Sequence, residues 1–205
     1  MILPSLLVLT DRRQAAASLV EVVAESVEAG ARAVVLREND LPRPERAALA
    51  VALAPLVHHL GGLLLSAREA LPGCDGIHLP SGPTQATDDT GPSEGLVVGQ
   101  SCHDGDELAA AEAGGVDYVT LSPVFLTGSK PGYGPPIGLE RLAQLVRLTR
   151  VPVYALGGIE TPEQARSCRY AGAAGVAVMG GVMRSGEPGQ VVRDLLHATS
   201  EVVSE

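Results

Sequence analysis

The sequence predicts a single-domain (β/α)8 barrel spanning residues 1–205, and three observations support this prediction. Eight short apolar segments alternate along the chain with amphipathic segments of helical periodicity. Most of the apolar segments are continuous runs of Val, Ile and Leu, which is typical of parallel strands buried on both faces. The last two segments each end in a pair of glycines, at the position where such barrels form a phosphate site. Alternating strands and helices of this number are expected to close into a parallel barrel.

The predicted strands follow the apolar segments in chain order. They cover residues 5–10, 33–37, 62–66, 76–79, 96–99, 118–122, 151–156 and 174–178. Helices are predicted between them, at 19–29, 44–59, 106–113, 139–148 and 162–171. Gly30, Gly114 and Gly172 follow three of these helices and are expected to end them, because glycine adopts the left-handed C′ conformation readily. Two stretches rich in Gly and Pro, 80–94 and 126–137, interrupt the alternation and are predicted to be loops or poorly formed helix.

Composition excludes several classes of protein. The chain has 205 residues, of which 45% are hydrophobic and 2% aromatic, and its formal net charge is −9. This acidic balance, without a run of Lys or Arg, argues against a nucleic-acid partner. No apolar run reaches the ~20 residues of a membrane-spanning helix, so no membrane partner is expected. Cys74, Cys102 and Cys168 are widely spaced without a CxxC pair, which predicts reduced thiols and a cytoplasmic protein.

The paired glycines predict a phosphate site. Gly157 and Gly158 follow strand 7, and Gly180 and Gly181 follow strand 8, one helix later. Because these residues lack side chains, backbone N–H groups are accessible where the chain turns into a helix. Both the N–H groups and the helix dipole favour an anion there. The alternative is that the glycines serve only tight turns and close packing.

Polar residues near the other strand ends are further site candidates, because active sites of such barrels lie at the C-terminal ends of the strands. These candidates are Arg37, Glu38, Ser101, His103, Thr127, Ser129 and Lys130. Each also has a structural interpretation: a helix cap for His103, an ion pair for Arg37 and Glu38, and a solvated charge for Lys130. His78, inside strand 4, is predicted to be a core histidine with satisfied hydrogen bonds, or else to face the pocket.

The resemblance to a known family rests on several segments, in this order: LREND, DGIHL, GQSCH, SPVFLTGSKPG, VYALGGI and GAAGVAVMGGV. Together they resemble the thiamine phosphate synthase / TenI superfamily over nearly the whole chain. The resemblance implies a (β/α)8 barrel, a thiazole phosphate as small-molecule substrate and, as in many members, a homodimer. Synthases of this superfamily join that thiazole phosphate to a pyrimidine diphosphate with Mg²⁺. TenI-type members are thiazole tautomerases, which need no metal.

The chain departs from the synthase pattern at the positions that hold Mg²⁺. Where a synthase has Asn-Asp after strand 3, this chain has Ser66 and Ala67, and the second acidic position, after strand 4, is Pro83. A divalent cation that bridges a diphosphate needs carboxylate ligands. Asp88 and Asp89 are the remaining candidates for that role. We therefore expect no metal cofactor, with Mg²⁺ required only if the protein is a synthase.

These features predict a thiazole tautomerase, which aromatises a thiazole carboxylate phosphate by moving a proton. His103 matches the family position of the acid/base, and Glu38 is its expected carboxylate partner. A histidine suits this chemistry because its unperturbed pKa of about 6.5 allows it to take and give a proton near neutral pH. Two alternatives stay open: a divergent thiamine phosphate synthase, and a non-catalytic regulatory protein that binds the thiazole phosphate.

Overall fold

Eight parallel strands close a barrel in the computed structural model of this protein, which describes residues 3–82, 95–127 and 135–200. The strands follow one another around the barrel in chain order, and the last strand pairs with the first. Val8 in the first strand, for example, is in register with Val34 on one side and Val178 on the other. The predicted (β/α)8 fold is confirmed.

All the predicted strands are present, with bounds that differ by a few residues. They are β1 Leu6–Leu9, β2 Ala33–Leu36, β3 Leu63–Ala67, β4 Gly76–Leu79, β5 Val97–Cys102, β6 Tyr118–Leu121, β7 Val153–Leu156 and β8 Gly175–Val178. The helices are α1 Leu19–Glu28, α2 Arg43–His59, α3 Gly105–Ala113, α4 Gly138–Val146, α5 Pro162–Tyr170, α6 Gly180–Met183 and α7 Pro188–Ser200. None of the helices in these segments is both long and apolar enough to cross a bilayer.

The structure differs from the predicted elements at the end of β5, in helix α7 and after α3. Strand β5 continues to Cys102 instead of ending at 99. The helix expected at the second glycine pair is α6, for which no bounds were predicted, and α7 was not predicted. Gly115, with φ 72°, takes the left-handed position after α3, whereas Gly114 has φ −74°. No helix was predicted between β3 and β4, and the structure joins these neighbouring strands by a loop.

Successive side chains of each strand point alternately into the barrel and toward the helices, which divides the core into an inner and an outer layer. The inner cluster consists of Leu7, Leu9, Ala33, Val35, Leu65, Val97, Tyr118, Tyr154 and Ala177. The larger outer cluster contains the intervening strand residues and the buried faces of the helices. Because each strand is covered on both sides, both of its faces are apolar, as the continuous Val/Ile/Leu runs predict.

Two tyrosines fill the barrel interior. The rings of Tyr118 and Tyr154 meet edge to face with their centroids 5.6 Å apart. A Cβ at Gly99 would lie 2.0 Å from the Tyr118 ring, and one at Gly175 would lie 2.5 Å from the Tyr154 ring. The two glycines therefore make room for the tyrosines. Tyr118 also stacks on His78 at 5.5 Å, which connects the interior packing to the C-terminal end of the barrel.

Candidate active site

A pocket of about 260 Å³ lies at the C-terminal ends of the strands. Residues from all eight strands, or from the loops directly after them, form its wall. Its charged and hydroxyl- or imidazole-bearing members include Arg37, Arg68, His78, Ser101, His103, Thr127 and Glu160, together with Gly157, Gly158, Gly180 and Gly181. The pocket thus brings together most of the candidate residues of the sequence analysis.

The glycine pair after β7 is held in a conformation that other residues rarely adopt. Gly157 has φ 98° and Gly158 has φ 69°. A Cβ at Gly158 would lie 2.3 Å from the carbonyl oxygen of Leu126, so the loop after β6 packs directly against this backbone. That packing is fixed by hydrogen bonds from the Val124 N–H to the Leu156 carbonyl (2.9 Å) and from the Phe125 N–H to the Gly157 carbonyl (3.0 Å).

The glycine pair after β8 begins the short helix α6. Neither Gly180 nor Gly181 is left-handed, so these two residues differ from the β7 pair in backbone conformation. Within the described segments, no turn, loop or side-chain acceptor takes the N–H groups of Gly158, Gly180 or Gly181. These groups line the pocket, where an anion could accept hydrogen bonds from them.

Thr127 is the one candidate of the β6 loop that the structure describes, and it lines the pocket. Ser129 and Lys130 lie outside the described residues, as do Pro83, Asp88 and Asp89.

His78 links the barrel interior to the pocket through both ring nitrogens. Its Nδ1 lies 2.9 Å from the Tyr118 hydroxyl, and its Nε2 lies 3.0 Å from the Ser101 hydroxyl. Burial, reinforced by the positive charge of Arg37, lowers the pKa of His78 to about 4. The imidazole is therefore neutral at physiological pH and serves to orient Ser101, a predicted substrate-binding residue.

His103 also lines the pocket, and its ring is tied to the first turn of α3. The Glu107 carboxylate lies 2.9 Å from Nδ1 and also accepts the backbone N–H of His103 at 2.7 Å. The neighbouring Cys102 points the other way, into the outer core. Burial raises the pKa of the Cys102 thiol to about 12, so Cys102 and His103 do not form a nucleophilic pair.

Glu38 is placed behind the wall of the pocket and is not one of its lining residues. Its side chain is almost fully buried, and both carboxylate oxygens accept the backbone N–H of Arg12 at 3.1 Å. The Arg12 guanidinium lies 3.6 Å from the same carboxylate. Glu38 therefore fixes the loop after β1 against the loop after β2.

Arg37 and Arg68 place two guanidinium groups in the pocket wall. Arg37 contacts the sulfur of Met179 at 3.7 Å, and Arg68 follows β3 with a left-handed φ of 73°. Among the described residues, neither guanidinium has a carboxylate partner. The sequence analysis did not select Arg68, although its place directly after a strand end was a signal that could have found it.

The described residues do not fit a bound Mg²⁺. No group of three His, Cys, Asp or Glu side chains within them could hold a metal ion. Ala67 lines the pocket with a methyl group, and Ser66 instead bonds the Glu69 carbonyl at 2.5 Å. Glu160, a carboxylate in the lining, is paired with Arg184 at 2.6 Å.

Comparison with known proteins identifies the family. The family model described as thiamine monophosphate synthase matches residues 6–182. A putative thiamine-phosphate synthase of Geobacter sulfurreducens is 38% identical over 198 residues, which cover 94% of this chain and 92% of that protein. A thiamine-phosphate synthase of a Roseiflexus species is 35% identical and covers 93% of this chain and 83% of that protein. The structure of a thiamine phosphate pyrophosphorylase from Pyrococcus furiosus superposes with a TM-score of 0.82 at 28% identity, over 98% and 97% of the two chains.

These findings correct the predicted activity. The tautomerase, an isomerase, is wrong as the main prediction, because the relatives are named as synthases, which are transferases. The proton-transfer roles given to His103 and Glu38 belonged to that prediction and are withdrawn with it. The expectation that no metal takes part is likewise not supported by the comparisons. The synthase alternative agrees with the names of these relatives. The family model matches most of the chain, and the chain belongs to the thiamine monophosphate synthase family.

Proposed function

We propose that this protein is a thiamine-phosphate synthase, a transferase that joins a hydroxymethylpyrimidine diphosphate to a thiazole phosphate. In this reaction the bond between the pyrimidine methylene carbon and the diphosphate oxygen breaks. A bond forms between the same carbon and the thiazole nitrogen, and diphosphate leaves with the electron pair. No redox step is involved. The names of two relatives, a putative thiamine-phosphate synthase and a thiamine-phosphate synthase, support this activity.

The observation that carries the proposal is that one pocket offers two separate kinds of anion contact. Backbone N–H groups of the glycine pairs after β7 and β8 suit a phosphate monoester. The guanidinium groups of Arg37 and Arg68 suit a more highly charged group. Two phosphorylated substrates held side by side are what this condensation requires, because positioning them removes the entropy cost of a bimolecular encounter.

The chain's own contribution to the reaction is positioning and charge stabilisation. The thiazole phosphate on the glycines orients the ring nitrogen toward the pocket centre. Positive charge near the leaving diphosphate stabilises it as the carbon–oxygen bond breaks. Ser101, held by the neutral His78, offers a fixed hydroxyl group to the substrate.

The direct test is product formation. We expect the purified protein, given both substrates and Mg²⁺, to yield thiamine phosphate, detected by mass spectrometry. The paired variants Gly181→Asp and Gly186→Asp test the site. Both positions have room for a Cβ, but only Gly181 lines the pocket.

We expect Gly181→Asp to raise the KM for thiazole phosphate at least about tenfold, because its carboxylate repels the phosphate. Gly186→Asp adds the same charge outside the pocket and should leave KM unchanged. Failure of the wild-type protein to form any product, or equal KM values in the two variants, would contradict the proposal.

A further inference from the structure

Arg68 adopts a backbone conformation that is unusual for a residue with a side chain. Its φ is 73°, and among the described residues it is the one non-glycine with a positive φ. The conformation is held in place by a hydrogen bond of 2.9 Å from the Arg68 N–H to the His78 carbonyl. Such strained residues concentrate at ligand sites, where the surrounding structure maintains them. Here the result is that the Arg68 side chain lines the pocket.

The acidic residues next to Arg37 in the chain are bound elsewhere. Glu38 is buried against the backbone N–H of Arg12, and Asp40 pairs with the Arg12 guanidinium at 2.9 Å. This pairing holds the pKa of the Asp40 carboxyl below its usual value. Arg37 is therefore left to face the pocket and His78, and its charge contributes to the lowered pKa of His78.

The acidic residue next to Arg68 is bound elsewhere in the same way. Glu69 accepts from Arg43 at 2.8 Å and also pairs with the buried Arg46, both on helix α2. The carboxylate of Glu69 is thus directed to α2, and the positive charge of Arg68 is not compensated by the described part of the chain. Arg37 is half-buried and Arg68 is exposed at the pocket wall, so these two guanidinium groups without carboxylate partners favour an anion in the pocket.

That anion is not expected to bring a protein-held divalent cation with it. A divalent cation needs several oxygen ligands from the protein, usually carboxylates. Among the described lining residues the carboxylate is Glu160, which is already paired with Arg184. Guanidinium groups, in contrast, bind phosphate oxygens directly through paired N–H donors.

We propose that Arg68, together with Arg37, forms a subsite that holds the diphosphate of the second substrate directly, without a divalent cation ligated by the protein. The proposal rests on the proposed synthase function for the identity of the diphosphate. In this arrangement the arginines neutralise the negative charge of the diphosphate, a role that a carboxylate-bound metal ion would otherwise have.

Binding of inorganic pyrophosphate measures this subsite without any turnover. We expect isothermal titration calorimetry in EDTA to show binding, and Mg²⁺ in place of EDTA to change the dissociation constant by less than about threefold. Pyrophosphate binding that appears only when Mg²⁺ is present would overturn the proposal, because it would require a metal held at ligands other than these arginines.

Three variants assign the binding to Arg68. Arg68→Gln removes the charge, Arg68→Gly removes it and also relieves the left-handed backbone, and Arg141→Gln removes a charge from the exposed face of α4. We expect both Arg68 variants to weaken pyrophosphate binding at least about tenfold. Arg141→Gln should bind as the wild type does. Arg68→Gly should melt at the wild-type temperature or above, which separates lost binding from lost folding. Wild-type affinity in Arg68→Gly would refute the assignment.

The two proposals fail in different ways. If the protein makes no thiamine phosphate in the presence of Mg²⁺ but binds pyrophosphate in EDTA through Arg68, the synthase function is wrong and the arginine subsite stands. If it makes thiamine phosphate but binds pyrophosphate only with Mg²⁺, the synthase function stands and the arginine subsite is wrong.

Discussion

His78 illustrates how a single buried residue connects the barrel interior to the pocket. Its ring stacks on Tyr118, and its two nitrogens bond one hydroxyl inside the barrel and one in the pocket wall. The sequence predicted either a satisfied core histidine or a pocket-facing one, and the structure shows both properties in the same side chain. Because charging this ring would break the arrangement, stability should depend on pH through it.

We expect the folded protein to lose stability as pH falls from about 6.5, the unfolded pKa, to about 4, the folded pKa of His78. Between these values the unfolded chain binds the proton and the folded chain does not, so the contribution of neutral His78 is present above pH 6.5 and is lost on acidification. The full effect is about 3 kcal/mol. Urea unfolding of His78→Gln should show a weaker pH dependence than the wild type.

The control for this experiment is His59→Gln, which removes an exposed histidine of α2. It should retain the wild-type pH dependence. A His78→Gln variant whose stability falls with acidification as steeply as that of the wild type would contradict the account of His78.

Gly158 allows a second test with a matched residue. Gly158→Ala and Gly61→Ala both place a side chain at a φ near 70°, but a Cβ at Gly61 meets nothing within 4 Å. We expect Gly61→Ala to cost about 1 kcal/mol from the backbone alone. Gly158→Ala should cost about 2 kcal/mol more, because its Cβ meets the Leu126 carbonyl. Equal unfolding free energies for the two variants would show that the β6 loop does not pack on this glycine.

At the same scale, the sequence predicted the site unevenly. The four glycines, Ser101 and His103 were predicted as site residues from their types and positions after strands, and all six line the pocket. Arg68 was not selected despite its place directly after β3, and the pairing of Glu69 with α2 and the left-handed backbone of Arg68 depend on contacts that the local sequence does not show. Glu38 was assigned to catalysis, but it is buried by contacts with Arg12, which is far away in sequence.

At the scale of elements, the N-terminus of α5 determines how the β7 loop enters a helix. Thr161 accepts the N–H of Gln164 at 3.3 Å, and the Gln164 side chain accepts the N–H groups of Thr161 and Glu160. The N-cap Thr161 of this capping box lies three residues after Gly158. Helix α1 begins with an equivalent box in which Ser18 accepts the N–H of Glu21, also at 3.3 Å.

We expect Thr161→Ala and Ser18→Ala each to lower the free energy of unfolding by about 1 kcal/mol, the usual cost of losing an N-cap. Only Thr161→Ala should also weaken phosphate binding, because the capping box that it breaks includes the N–H of Glu160, a residue that lines the pocket. The box at Ser18 has no such connection, since Ser18 does not line the pocket. Denaturant unfolding and phosphate titration of both variants test this. A loss of phosphate binding in Ser18→Ala as large as in Thr161→Ala would mean that the effect is global.

The elements themselves were predictable wherever hydrophobic periodicity was strong. All eight strands follow apolar runs, but the end of β5 was missed because Gln100 and Ser101 resemble loop residues. In the barrel Gln100 is buried and donates to the Gly82 carbonyl at 2.7 Å, a contact between segments that local sequence cannot show. Helix α7 was missed too, and its buried face packs against α1 and α5.

At the scale of the whole molecule, the barrel closes around two tyrosines that its glycines accommodate. We expect Gly99→Ala to destabilise the protein by about 3 kcal/mol, because the new methyl group overlaps the Tyr118 ring in a closed interior. Gly105→Ala is the control, since its Cβ would make ordinary contacts at 3.6 Å. Thermal unfolding compares the two, and a Gly99→Ala variant as stable as Gly105→Ala would contradict this packing.

Comparison over the whole chain also shows why the predicted activity was wrong. The sequence analysis gave most weight to two missing carboxylates, whose positions are occupied by Ala67 and Pro83, and inferred that diphosphate chemistry was lost. Negative charge can equally be neutralised by arginines, and the pocket contains two of them. Sequence identities of 38% and 35% to proteins named as synthases, over more than nine tenths of the chain, are stronger evidence for the activity than the residue types at these two positions.

The most direct measurement of the central claim is ³¹P NMR of the protein with hydroxymethylpyrimidine diphosphate, thiazole phosphate and Mg²⁺. The account predicts that the diphosphate ester signals disappear while free diphosphate and thiamine phosphate appear in equal amounts. Unchanged ester signals in the presence of folded protein, or diphosphate released without thiamine phosphate, would show that this pocket does not perform the condensation.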